Sequence, residues 1–577
     1  MKLFQKLFPF ELSFKSVFCR LLCGLFLSAA LFLSLNLDAV NNVRLMGEYN
    51  FWLFVLCFLS FSALFLRLES DLAASWFLVG TGTLYFLVSA ASGNDGYFSV
   101  GLCLASAAVF CFADLSLPRL IGSRKRLFVL ALFCFFGFSA TVGVICSLYY
   151  QNSQSSCFDF GIFSQMFYYM KETGKQLVTC ERDGLLSHFA VHFSPIYYLL
   201  LPFYLIVPKP QTLLVLQAVV VASGVFPLVL LCEEKKLSQR LSGVLVLLYI
   251  LYPAFWGGCF YYLHENCFLA PLLLWLFYFF ERERTAGVLV FSLLTLSVKE
   301  DAAVYVAVAA LFFLFARKNL KQGISVFALS ILYFVLVTAY LSSLGDGVMT
   351  GRYDNLMFGE GGLLSLLKTV FQNPALAVRE IFEEEKILYL LEVMFALFFL
   401  PFSLKKPERL LLLIPLFLFN LLPDYGYQHK IGYQYGFGSG AFLIYLSLLN
   451  ISDKKEEKSV EKRALLALSC SVILLFGLFG GRLGYIRTYS ETKSQRAAIG
   501  EAFSKVEDGA AVAASAFFVP ELSQRDVIFE LETTKHLDEC EYIVVDMRRK
   551  YDEEIFKNDD FETIYFRENI AAVLKRK

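Results

Sequence analysis

Runs of apolar residues recur along the first 481 positions, and most are long enough to cross a lipid bilayer. A transmembrane helix needs about 20 such residues, because each adds about 1.5 Å and the hydrocarbon core is about 30 Å thick. The spacing predicts spans near 17–36, 51–67, 72–92, 97–117 and 127–150, then near 211–232, 240–257, 266–281, 285–299, 301–316, 322–344, 386–403, 407–423, 434–450 and 464–481. Backbone polar groups in lipid must pair within their own segment, so these runs read as helices. The expected fold is an all-α polytopic membrane protein with about fifteen transmembrane helices. Composition agrees: 57% of residues are hydrophobic and 18% are charged, against about 25% charged in soluble domains. A soluble enzyme, a disordered chain and a disulfide-rich mini-protein are excluded. The charges balance at 51 basic and 51 acidic, so no overall field draws the chain to nucleic acid.

The distribution of charge orients the chain. Lys and Arg concentrate in cytoplasmic loops, and Lys2, Lys6 and Lys15 place the N-terminus inside. No convincing cleavage site follows the first span, which reads as retained. Ile196–Val207 is apolar but only about 12 residues long, and Pro208 and Pro210 end it. If it crossed, Lys235, Lys236 and Arg240 would lie outside and every later basic loop would invert. As a re-entrant or interfacial helix it leaves Arg282/Arg284, Arg317/Lys318/Lys321, Lys405/Lys406/Arg409 and Lys454–Arg463 all inside. That reading is adopted, and it puts the C-terminal tail outside a cell membrane.

From Arg482 onward 35% of residues are charged, against 14% before it. The tail therefore reads as a small soluble α/β domain. Ser490–Val506 has helical spacing. Ala511–Ser515, Asp526–Leu531 and Glu541–Met547 read as strands, and Phe561–Phe566 with Ile570–Lys575 as a hairpin. No Gly-rich phosphate loop opens its helix, which favours a docking or lid role. The expected organisation is additional N-terminal helices over 1–126, a transmembrane core over 127–481 with a long outer loop at 151–210, and the tail over 482–577.

On this map the unusual residues fall at the outer face: His188, His192, His264, His429, Asp159, Glu181, Arg182, Asp183, Glu265, Lys299, Glu300, Asp301, Arg352, Asp354, Asp424 and Tyr433. Ionisable groups near membrane depth are costly and usually line a cavity or pathway. Lys299-Glu300-Asp301 occupies a turn where Gly, Asn or Ser would be cheaper. Asp159 lies between Phe158 and Phe160. Such surroundings suit a general base, and the same position equally suits a cap for a helix beginning at Gly161. His188 and His192 are four apart and would share one helix face. A divalent metal could use them with Asp159 or Glu265, but two His without a local third ligand are weak evidence, and no metal or other cofactor is assigned. His264-Glu265 is a donor pair for an anion or an interfacial polar step. Tyr425–Tyr435 interleaves aromatics with Gln428, His429, Lys430 and Gln434, as a sugar platform or an interfacial belt would. Cys157 with Cys180, and Cys259 with Cys267, could pair in an oxidising exterior.

Phe158-Asp-Phe-Gly-Ile-Phe-Ser-Gln165, His192-Phe-Ser-Pro195, Leu263-His-Glu265, Val298-Lys-Glu-Asp301, Ala513-Ala-Ser515, Pro520-Glu-Leu-Ser-Gln-Arg525 and Tyr542–Asp546 appear in that order. Together they resemble the bacterial membrane proteins grouped as domain of unknown function 2079, over about residues 127 to 570. That family is similar to the C-type-fold membrane glycosyltransferases, which move sugars from polyprenyl-phosphate carriers at the outer face. Their pattern is an acidic residue in the first outer loop, a short surface helix in that loop and a second polar outer loop. Asp159, Ile196–Val207 and His264-Glu265 fall at the matching places. Many such enzymes carry paired acids in the first loop or a metal-binding acid in the second. Here Asp159 has no adjacent acid and the second loop offers His-Glu, which implies a metal-independent mechanism.

The resemblance thus implies transfer of a sugar from a polyprenyl-phosphate-linked donor to a surface glycan, lipid or protein acceptor. Asp159 would be the base. His188, His192, His264, Glu265, Lys299, Glu300, Asp301, Arg352, His429 and Tyr433 would bind substrate, with Glu300 and Asp301 orienting Lys299 or touching the sugar. Two other classes stay open. A lipid-linked glycan transporter or flippase should carry charges in the inner halves of its spans, where few are found. A non-catalytic envelope assembly protein would use the tail as its interaction module.

Overall fold

The computed structural model describes residues 14–35, 51–67, 103–104, 122–345, 347, 350–357, 362–403, 405–454 and 458–577. The expected span near 72–92, and all but two residues of that near 97–117, lie outside them. Among the described residues, five helical stretches are long and apolar enough to cross a membrane: Arg124–Gln151, Pro210–Glu234, Gln239–Tyr261, Leu320–Leu344 and Ser459–Glu491. Shorter apolar helices include Ser16–Phe32, Phe51–Leu66, Thr285–Leu296, Ala302–Ala316 and Gly436–Ser452. The chain is a multi-pass, mainly helical membrane protein.

Several expected runs take other forms. Residues 386–403 are helical only to Phe395. Residues 407–423 break into a tight turn at Pro407–Leu413, a single helical turn at Ile414–Leu416 and a wide turn at Phe417–Leu421. Pro407 and Pro415 remove backbone donors there, which disfavours one continuous helix. The last run does not stop at 481. Helix Lys458–Phe479 passes through a tight turn at Gly480–Gly484 into Tyr485–Glu491. The expected tail helix Ser490–Val506 is accordingly divided, and its second part is Lys493–Phe503.

Aromatic rings fill the helix crossings. Phe277 stacks on Tyr445 at 4.2 Å, Phe280 on Phe313 at 4.5 Å and Tyr305 on Phe419 at 4.5 Å. The Gly-rich start of Gly436–Ser452 allows this closeness. A Cβ on Gly438 would lie 2.4 Å from the Tyr305 ring, so a small residue is required where the helices meet.

The segment Pro195–Ile206 is two short helical pieces, too short to span. Tyr197 and Tyr204 are fully buried, while Leu199, Phe203, Leu205 and Ile206 are exposed. This amphipathic division fits an interfacial segment.

Within the long loop after helix Arg124–Gln151, strands β1 (Leu177–Val178) and β2 (Leu186–Ser187) pair antiparallel. The C-terminal residues form a five-stranded mixed sheet from β3 (Val512–Ala514), β4 (Ile528–Glu530), β5 (Tyr542–Asp546), β6 (Phe561–Arg567) and β7 (Ala571–Arg576), in the order β4-β3-β5-β7-β6. β3 runs parallel to β4 and β5, and β7 pairs antiparallel with β5 and β6. Asn569, with φ of 57°, makes the turn between β6 and β7, a conformation Asn tolerates. One face of the sheet packs against Cys157, Ile162, Val178 and Cys180 of that loop.

Candidate functional site: a polar chamber at one end of the helical body

The residues singled out near Asp159, His188, His264, Lys299 and Arg352 line one cavity of about 620 Å³. Its roof is the wide turn Cys157–Gly161, which carries Asp159 between helices Arg124–Gln151 and Ile162–Thr173. Helix Ile162–Thr173 has no side-chain cap, so Asp159 does not fill the capping role. Its carboxylate is half-buried and lines the cavity beside Tyr261.

The floor is a buried ionic network. Glu265 is fully buried. One of its oxygens lies 3.1 Å from Lys299 Nζ. The other lies 2.9 Å from His264 Nδ1 and accepts from the Tyr197 hydroxyl at 2.7 Å. His264 is fixed by its own N–H, which donates to Gln217 at 2.8 Å. Glu300 lies 2.8 Å from His192 Nδ1 and accepts from the Phe193 N–H at 3.2 Å. The expectation that Glu300 orients Lys299 is therefore corrected: Glu265 holds Lys299, and Glu300 holds His192. Consecutive residues of a tight turn point different ways, which separates the two partners.

His188 and His192 do not share a helix face either. His188–Ala190 is one tight helical turn, and the two rings lie 6.1 Å apart, each with its own carboxylate. His188 Nδ1 is 2.9 Å from Glu181. Burial lowers its basicity, but the Glu181 charge outweighs this and the imidazole pKa is raised. His192 goes the other way, because burial and Lys299 both lower it. Burial pushes Glu300 up, yet His192 and Lys299 hold it low, at about 2. No group of three or more His, Cys, Asp or Glu able to hold a metal occurs among the described residues. Cys157, Cys180, Cys259 and Cys267 are free thiols, so the two suggested disulfides are absent.

The side wall is aromatic. Tyr261 packs on Tyr433 at 4.6 Å, and Tyr433 on Tyr427 at 4.7 Å. Arg352 lies over the rings of Tyr425 and Tyr435, at 4.9 and 5.3 Å. Flat donors against ring faces are well placed for such contacts. Glu300 and Asp301 line a smaller apolar recess of about 110 Å³, which shares His192, Lys299 and Arg352 with the chamber. Among the buried polar atoms at these cavities without a hydrogen-bond partner are His188 Nε2, Gln434 Oε1, Gln428 Oε1 and Asp301 Oδ1. His429 is not brought in: it is buried elsewhere, with Nε2 3.6 Å from Glu385. Tyr261, Tyr197 and Gln217 escaped the sequence reading, since each looks like an ordinary belt or core residue in an apolar run.

The C-terminal residues clamp the turn that carries Asp159. Arg548 Nη1 and Nη2 donate to the carbonyls of Asn152 and Ser153 at 3.0 and 2.9 Å. Asp546 holds the same guanidinium at 2.6 Å. The Cys157 N–H donates to Ala516 O at 2.6 Å. Ser523 donates to Ser164 at 2.6 Å, Gln165 Nε2 donates to the carbonyl of Asp526 at 3.1 Å, and the Ser153 hydroxyl donates to Glu521. Burial pushes the Glu521 pKa up to about 7. The Phe158–Gln165 motif thus supplies a joint as well as a carboxylate.

The family described as Predicted membrane protein (DUF2079) matches over residues 149–569. No curated protein matches the chain. Solved structures of ArnT from Cupriavidus metallidurans, bound to undecaprenyl phosphate and in the apo state, are similar at 10% identity, with TM-scores of 0.45 and 0.41. Each comparison covers 76% of this chain, and 98% and 97% of the ArnT chains respectively.

Proposed function

The chain belongs to the DUF2079 family of predicted membrane proteins, and from that premise we propose that it is a membrane glycosyltransferase. It moves a sugar from a polyprenyl-phosphate donor to a hydroxyl acceptor at the outer face. The observation that carries this reading is the composition of the chamber. It sets two carboxylates, Asp159 and the Glu181 already paired with His188, among Lys299, Arg182, Arg352, His192 and His264, against a wall of tyrosines.

In this reaction Asp159 takes the proton of the acceptor hydroxyl as its oxygen bonds to the anomeric carbon. The bond from that carbon to the donor phosphate oxygen breaks, and the phosphate keeps the electron pair. Lys299, Arg352, His192 and His264 stabilise the charge gathering there, which is where preorganised donors contribute most. Glu265 keeps Lys299 and His264 in place. The buried polar atoms of His188 and Asp301 provide hydrogen-bonding capacity for sugar hydroxyls, and Tyr433 with its neighbours packs on the sugar ring. No step requires a metal. Residues 127–481 form the catalytic core, the N-terminus is cytoplasmic, and the outer tail of 482–577 shapes the roof.

Mass analysis of lipid-linked and surface glycans tests the reading. Deleting the gene should remove one sugar, wild type should restore it, and Asp159→Asn at equal membrane level should not. Full restoration by Asp159→Asn would end the base assignment. Unchanged glycans after deletion would end the transferase reading.

A further inference from the structure

The hydrogen bonds that tie the C-terminal residues to the roof and the helix after it fall on either side of Asp159. They reach Asn152, Ser153 and Cys157 before it and Ser164 and Gln165 after it. A second support comes from the stretch Tyr261–Glu265. Helix Pro253–Tyr261 ends there, and the next residue, Tyr262, has φ of 155° and ψ of −179°. That region is natural to glycine, because a Cβ crowds the backbone in it. Other residues hold it only where their surroundings impose it, and such residues cluster at functional sites.

The bend at Tyr262 sends neighbouring side chains to different parts of the chamber. Tyr261 lines the wall beside Asp159, while His264 and Glu265 belong to the floor. Tyr262 turns to the roof. Its ring stacks on that of Phe160, the residue after Asp159, at 5.8 Å and 22°. Its hydroxyl donates to the carbonyl of Gln154, ahead of the turn, at 3.4 Å. Phe160 is fully buried and meets Tyr150 edge-on at 5.5 Å, so it has little room to slide off the Tyr262 ring. One residue of imposed backbone thus joins the neighbour of Asp159 to the segment that supplies the floor.

We propose that Tyr262 is a positioning residue, whose ring holds Asp159 at the height over the Lys299–Glu265 floor that transfer requires. The proposal rests on the sugar-transfer reading. A glycine would take this backbone without strain, so the cost of a tyrosine is accounted for by what its ring supports. A displacement of about 1 Å at a reacting group costs about 10²-fold in rate, so the ring matters without touching substrate.

Two measurements on the full chain in its membrane test this. The first is the glycan analysis of the deletion strain, with each variant at equal membrane level. Tyr262→Phe, which keeps the ring, should restore the sugar as wild type does. Tyr262→Gly, which relaxes the backbone and removes the ring, should lower transfer about 10–10²-fold. If that variant does not accumulate, Tyr262→Leu, which lacks a ring face, carries the same expectation. The second measurement needs no transfer. With Asp159→Cys as a probe, maleimide labelling at position 159, corrected for the chain that keeps Asp159, should rise when Tyr262→Gly is added and stay level with Tyr262→Phe. Full restoration by Tyr262→Gly, an equal loss in Tyr262→Phe, or labelling that Tyr262→Gly leaves unchanged would overturn the positioning role. Unchanged glycans after deletion would instead end the sugar-transfer reading, and labelling alone would then decide whether Tyr262 holds the roof.

Discussion

Ion pairs occur at both ends of the helical body, and they differ in what surrounds them. At the end away from the chamber, Arg124 is 77% exposed beside Glu233 at 26%. At the chamber, Lys299 is 3% exposed and Glu265 is fully buried. An exposed pair contributes about 0–1 kcal/mol, because water competes for both partners. A buried pair recovers little net energy after desolvation, but removing one partner strands the other charge at about 3–5 kcal/mol. The buried Lys299–Glu265 pair therefore fixes positions, whereas the exposed Arg124–Glu233 pair contributes little to the fold.

The largest effect expected from this contrast is chemical. Asp159→Asn removes the one half-exposed carboxylate of the roof, and sugar transfer should fall about 10²–10⁴-fold with little change in unfolding temperature. A comparable fall in stability would instead place Asp159 in the structural network. Next comes Glu265→Ala, which strands Lys299 and His264. It should lower stability by about 3–5 kcal/mol, visible as a drop in thermal midpoint or membrane abundance. A loss below about 1 kcal/mol would erase the distinction between the two ends.

A pH dependence follows from Glu521, whose folded value is raised to about 7 by burial. The folded state prefers the protonated carboxyl. Its contribution is thus complete below the unfolded value of about 4.5 and is lost as pH rises through 7. Thermal stability should fall between pH 5 and pH 8 by up to about 3 kcal/mol. Glu521→Gln should flatten this profile, and a profile that the variant leaves unchanged would assign it to other groups. The smallest effect is at the far end. Arg124→Gln should cost about 0–1 kcal/mol in a denaturant titration, and a larger loss would show that exposed pairs also hold the fold.

Much of this was readable before any coordinates, for definable reasons. Apolar run length announced the long apolar helices, and the short length of Ile196–Val207 set it apart from them. The isolated charges of Lys299-Glu300-Asp301 and the aromatic flanks of Asp159 pointed to one outer locus. Partners were not readable. That Lys299 meets Glu265 rather than Glu300 depends on how a turn splays its side chains. His429 shares a segment with Tyr433 yet turns toward Glu385, because that segment is a run of turns without a regular repeat. The broken stretch 407–421 was hidden because apolar content alone does not separate one continuous helix from several turns. The joint between the roof and the C-terminal strands pairs side chains such as Arg548 and Gln165 with backbone carbonyls hundreds of residues away, and such partners leave no local signature.

That joint has a consequence for how the molecule is made. The residues that Arg548 grips lie 396 and 395 positions before it, and Thr492 reaches Asn152 across 340. During synthesis the loop bearing Asp159 emerges hundreds of residues ahead of its clamp. The chamber can take its final shape only when the end of the chain has been delivered to the same side, so a protein cut short after its last helix would reach the membrane without a finished roof.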